Sequence, residues 1–312
     1  MLWASEPPRV GAAPACAVLW TLAWGQRSGR GTGPGRRCRL STGEAGRSAS
    51  LRRRRRRLAI ARRVGIALLS TGVLLGGFVA YQLWVTGLFA QGAQDGLRAR
   101  LDERISTAAV DLVPFAPDPG LAPFPIALPA GLASPGGADL AAALEAAGLP
   151  PATPPAAAWG AVLSAEVPPP AGDALGRIRL PAAGIDWTVV EGVGPAELRR
   201  GAGHMPGTAL PGQPGNAVIS GHRTTYGAPF ERLDRATPGD LITVTTTTGT
   251  HAYQVVQSLV VAPTEIWVTG QWEGGWLTLT TCHPRLSARQ RLVVVARLVG
   301  GPNAGLVVGE VS

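Results

Sequence analysis

From Val64 to Ala90 the chain runs for 27 residues without a charge, "VGIALLSTGVLLGGFVAYQLWVTGLFA", directly after eight arginines at Arg52–Arg57 and Arg62–Arg63. A helix needs about 20 apolar residues to cross a hydrocarbon core, so the run is long enough to span a bilayer. Arginines crowded on one flank hold that flank on the cytoplasmic side. Tyr81 and Trp84 sit toward the other end, where aromatic rings favour the interface. The sequence therefore predicts a single-pass plasma-membrane anchor with its N-terminus cytoplasmic and everything after residue 90 outside. A buried core helix would not require so many arginines beside it.

The charge balance supports this division. The net charge of +9 is carried by the N-terminal arm. Residues 1–63 hold 15 Arg against Glu6 and Glu44, a net of +13, whereas residues 64–312 hold 14 Arg against 18 acids, a net of −4. The mildly acidic remainder argues against nucleic acid as a partner. Gly/Arg/Ser richness without periodicity predicts a disordered arm over 1–63. Ala/Pro/Gly stretches such as "VPFAPDPGLAPFPIALPAGLASPGG" predict a stiff extracellular tether over 91–173 that holds the following domain well away from the membrane. The tether begins with a short helical extension, and "DLAAALEAAG" adds a helical turn or two within it. A flexible tail is expected over 301–312.

Residues 174–300 read as all-β. "NAVISGH" and "GWLTLTTC" are strands ending at loops, "RLVVVARLV" is a third, and "DLITVTTTTGTHAYQVVQSLVVAP" is a hairpin turning at Thr-Gly-Thr. "PAELRRG" and "APFERLD" are the helical turns. Many short strands with few helices predict a closed barrel or a sandwich.

Chemistry concentrates in "LTLTTCHPR". Strand parity puts Thr278, Thr280 and Cys282 on one face and Leu277, Leu279 and Thr281 on the other. Pro284 cannot continue the ladder, so Cys282 stands at a strand end, where loops build sites. A thiol becomes nucleophilic beside a base or a cation. His222, at the end of another strand, is the candidate base, and Arg291, at the head of the last strand, is the candidate oxyanion donor. His204, His251 and His283 compete for the base role. His251 follows a turn and is expected to face solvent, and His283 points away from Cys282 if the strand continues. With three cysteines in the chain, a disulfide framework is not expected. No spacing of metal ligands and no phosphate loop is present, so no metal and no cofactor are expected.

"TLTTC" at 278–282, Arg291, and the preceding "GHMPGTALPGQPGNAVISGHRTTYGAPFERLDRATPGD" together resemble the sortase family. The likeness is greatest to its actinobacterial class E members, and "YQLWVTGLFA" in the anchor is similar to theirs. The resemblance covers 174–300 and the anchor. It implies a closed β-barrel of nominally eight strands and a cysteine transpeptidase. Cys282 would attack the Thr–Gly bond of an LPXTG-like or LAXTG-like sorting signal, and His222 would serve as acid and base. Arg291 would hold the substrate and its oxyanion, and Thr281 would help bind or orient substrate. The implied partners are secreted proteins bearing a C-terminal sorting signal and a peptidoglycan-precursor amine. The alternative is a membrane-tethered binding module that keeps the fold without activity. Other wall-directed cysteine enzymes fit less well, because Cys282 follows Thr-Thr rather than His-Gly and His222 precedes the cysteine.

Overall fold

The structure is a computed structural model, described here over residues 42–115, 118, 120–125, 138–146, 148 and 162–308. The expected arm therefore lies outside the described residues as far as residue 41, together with parts of the expected tether. Within the described part of the arm, the chain is helical rather than coiled: α1 spans Thr42–Ala80. Leu, Ala and Arg are good helix formers, and they continue without a break into the apolar run. The stretch Arg52–Ala80 is long and apolar enough to cross a membrane.

A single π-helical stretch, Tyr81–Val85, joins α1 to α2, Thr86–Thr107. The buried residues of α2 are Thr86, Ala90, Gln94, Leu97 and Leu101, a stripe with helical spacing. Leu97 and Leu101 pack on Ala174 and Val190. Each leucine contributes about 1.5–3 kcal/mol by leaving water. Gln94 behaves like a strand partner: its amide donates to the carbonyls of Thr188 and Arg200, both at 3.0 Å, and accepts from Thr188 N–H at 2.8 Å. The charge-free run is therefore divided. Among its last residues Thr86 and Ala90 are buried, whereas Leu88 and Phe89 are exposed.

The expected closed barrel is present. Its strands are β3 Ala174–Leu180, β4 Ile185–Glu191, β5 Ala202–His204, β6 Gly215–Ser220, β7 Leu241–Thr246, β8 Gly249–Val261, β9 Gly275–His283 and β10 Gln290–Gly300. The order round the barrel is β10-β8-β7-β3-β4-β5-β6-β9, with β9 pairing back to β10. The β4–β5 and β6–β9 pairs are parallel and the other pairs antiparallel. Alternation fills the interior: Leu277 and Leu279 of β9 and Leu292 and Val294 of β10 point inward. Val293, Val295 and Trp276 point outward into a second apolar cluster with Trp272. The two helical turns expected from the sequence are α4 Pro195–Leu198 and a 3-10 turn at Leu233–Arg235.

The tether reading is corrected where the chain is described. β1 Asp111–Pro114 and β2 Val162–Ala165 form an antiparallel ribbon. Phe124 stacks on Trp276 with ring centroids 4.1 Å apart. In α3, Ala138–Ala146, Leu140 and Leu144 pack on Ala252 and Val299 of the barrel. Proline-rich composition keeps the segment from forming a core of its own, but the barrel's outer face supplies apolar partners at intervals. The tail reading is corrected likewise over 301–308, residues 309–312 lying outside the described ones: α5 Ala304–Val308 is docked by buried Ala304 and Val307. Asn303 ties this end down through the carbonyls of Ser164 and Gly212, both at 3.0 Å.

Candidate active site

Register assembles the site. β6 runs parallel to β9 with Ser220 opposite Thr280. Two residues further along each strand come His222 and Cys282, so the parallel pair brings both to the same level. A backbone bond from Gly221 N–H to Thr280 C=O, 3.1 Å, carries the pairing past the end of β6. On the other side of β9, Arg291 is the direct cross-strand partner of Cys282. Parity puts Cys282 on the outward face with Thr278 and Thr280, and Arg291 shares that face with Val293 and Val295. The three residues singled out in the sequence thus stand at one end of three adjacent strands.

The Cys282 thiol is free and half-buried. Thr281 turns the other way, and its buried hydroxyl donates to Gly221 C=O at 2.7 Å. This bond ties β9 to the loop that carries His222. The ring of His222 lies 5.1 Å from that of Tyr226, tilted by 40°. The Arg199 guanidinium sits over the Tyr226 ring, 5.9 Å from its centroid. Burial holds the His222 imidazole below its ordinary pKa of 6.5, and the positive charge of Arg199 lowers it further. The Arg291 guanidinium donates to the carbonyls of Ala288 and Gln290 at 3.0 and 3.1 Å, so it is folded onto its own loop.

The competing histidines are held elsewhere. His204 is buried, with Nδ1 2.8 Å from Glu191 Oε2 and Nε2 2.9 Å from Ala209 C=O. His283 lies on the inward side of β9, where its Nδ1 accepts from Arg223 at 2.9 Å. His251, expected to face solvent, is fully buried instead. It lies opposite Val244 of the interior, 3.0 Å from the Thr248 hydroxyl, and burial pushes its pKa down to about 4.

Sequence reasoning passed over Arg223. It is buried, pairs with Asp234 at 3.2 Å, and reaches Cys282 C=O at 3.4 Å as well as His283. It therefore ties the loop after His222 to the strand end that holds Cys282. Its place directly after His222 was the available signal. Among the described residues, no group of three or more His, Cys, Asp or Glu side chains is placed to hold a metal ion.

Residues 178–299 match the family model described as Sortase domain. Sortase D of Bacillus subtilis is 32% identical over 117 residues, 37% of this chain and 58% of that protein. Sortase SrtE1 of Streptomyces coelicolor is 26% identical over 276 residues, 83% of this chain and 63% of that protein. The chain therefore spans about three fifths of the length of each of these relatives. A solved sortase E variant from Streptomyces avermitilis is 31% identical, with 43% of this chain and 98% of that one covered at a TM-score of 0.38. Residues 178–299, which hold Cys282, His222 and Arg291, are thus a sortase domain.

Proposed function

We propose that this chain is a membrane-anchored cysteine transpeptidase of the class E type. The observation that carries the reading is the convergence of Cys282, His222 and Arg291 through the β6–β9 and β9–β10 registers. The Cys282 thiol gives its proton to His222 and its sulfur attacks the carbonyl carbon of the Thr–Gly bond in an LAXTG-like or LPXTG-like signal. His222 protonates the departing glycine amine as the C–N bond breaks, leaving a thioester on Cys282. An incoming amine gives its proton to His222 and attacks the thioester, which returns the thiol and forms a new amide. Arg291 stabilises the oxyanion of both tetrahedral intermediates. To do so it exchanges two exposed carbonyl bonds within its own loop for the substrate, a near-neutral exchange because water already competes there.

The membrane reading is supported by the span candidate Arg52–Ala80 and by the arginines at its head. In this orientation the arm is cytoplasmic and the barrel outside. The substrates are then secreted proteins carrying the sorting signal, and the acceptor is an amine of a peptidoglycan precursor. Similarity to SrtE1 across 83% of the chain supports class E and, with it, alanine at the second signal position. The test is the full chain with LAXTG and LPXTG peptides and a glycine-type amine, followed by mass spectrometry. Amine-exchanged product, greater with LAXTG, is expected. Exchange with LPXTG alone overturns the class, and the absence of exchange and of cleavage with both peptides overturns the activity on these signals.

A further inference from the structure

The helix that leaves the membrane span enters the domain without a spacer. Residues 66–107 pass from α1 through the π-helical stretch into α2 with no coil between them. Counting about 20 residues from Val64 brings the far edge of the hydrocarbon core to about residue 83. Trp84 is next in line, and Ala90 follows about 9 Å further along the axis. The headgroup layer is itself about 5–8 Å deep. Ala90 is fully buried, and a Cβ on Gly227 would lie 3.3 Å from its methyl group. Gly227 lies in the loop that starts at His222. On the membrane-anchoring reading that loop lies near the outer edge of the headgroup layer, and a tilt toward its side brings it closer.

The surface there exposes apolar side chains beside the Arg285–Glu231 ion pair. A cavity of about 820 Å³ is lined by Trp84 and Leu88 of the helix, Thr224 and Gly227 of the His222 loop, and Arg285 and Leu286 of the loop after Cys282. Trp84 is 76% exposed and Leu88 66%. Leu286 is 82% exposed, the most exposed large hydrophobic side chain among the described residues. Its φ of 63° lies in the left-handed region, where a branched side chain is disfavoured by about 1–2 kcal/mol and glycine or asparagine would be at ease. Within the chain, leucine here recovers neither its hydration cost nor its backbone strain. A partner that buries it would recover the former, and the nearest apolar medium is the bilayer the helix has just left.

We propose that the barrel end carrying Cys282 rests against that bilayer, with Leu286, Trp84 and Leu88 in the headgroup layer and the catalytic cysteine facing substrates held at the lipid surface. This rests on the membrane-anchoring reading above. It also replaces the tether expectation, under which the domain would stand well away from the membrane.

The test uses the full chain with Cys16, Cys38 and Cys282 replaced by alanine, reconstituted in vesicles of phosphatidylethanolamine and phosphatidylglycerol. A bimane label is placed at Leu286→Cys, at Leu88→Cys, or at Pro302→Cys, the last about 30 Å away beyond the other end of β10. Quenching by a nitroxide carried on the lipid headgroup should be several-fold stronger at the first two sites than at Pro302→Cys. Equal quenching at all three sites, in protein that floats with the vesicles, overturns the placement and leaves anchoring intact. Protein that does not float with the vesicles overturns both.

Discussion

Two histidines stand at opposite ends of the same barrel and show what separates a reactive end from a closed one. His251 is fully buried near the start of β8. A Cβ on Gly212 would come within 2.1 Å of its ring, so glycine there is a condition of the packing. His222 is half-buried beyond the end of β6, level with the free thiol of Cys282 on the neighbouring strand, and among the described residues its ring has an aromatic neighbour rather than a hydrogen-bond partner. Residue type is the same at both ends. Access and room decide which imidazole a substrate can reach.

Alanine at the open end should separate activity from folding most sharply. Cys282→Ala should remove all exchange product, and His222→Ala and Arg291→Ala should each slow exchange at least about 100-fold. Melting curves should hardly move, since these side chains lie at a half-exposed rim. Near-normal turnover in any one of the three removes that residue from the mechanism. The closed end should respond in the opposite sense. Gly212→Ala places a methyl group against the His251 ring at a φ of +82° and should cost about 3 kcal/mol of stability in denaturant melts. Protein that remains folded should keep its exchange rate.

Acid should then probe the two ends separately. Burial holds His251 at about 4 against 6.5 when unfolded. The unfolded chain binds the proton first, so stability is fully present above pH 6.5 and falls by about 3 kcal/mol as the pH drops through 4. His251→Leu should flatten that part of the stability profile. A profile unchanged by His251→Leu would move the acid sensitivity elsewhere. The smallest effect is expected at His222. Its titration, followed by NMR, should fall below 6.5 for reasons of burial first and Arg199 second, and Arg199→Gln should move it upward by a fraction of a unit. A downward movement would contradict the assigned sign.

The open end was more legible in the sequence than the closed one. Parity along "TLTTC" put Cys282 opposite Thr281, and the strand-end loops put His222 and Arg291 in reach. The parallel pairing of β6 with β9 was not legible, because it joins segments about 60 residues apart with no turn signal between them. Arg223 escaped notice because its value lies in what it bridges, Asp234 on one side and the Cys282 strand end on the other. His251 was misplaced for a similar reason. The turn beside it argued for exposure, but Gly212 and the docked segment after Gly300 close over it from distant parts of the chain. The tether was misread because composition reports what a segment lacks for a core of its own and is silent on surfaces elsewhere that will take it. Leu140 and Leu144 found theirs on Ala252 and Val299.

The central claim is that Cys282 carries the acyl group. The most direct measurement is the intact mass and peptide map of the full chain mixed with an LAXTG peptide in the absence of an acceptor amine. The account predicts an acyl adduct on Cys282, absent from Cys16 and Cys38, that disappears when a glycine amine is added. An adduct on either of the other cysteines, or exchange without any adduct on Cys282, would contradict it.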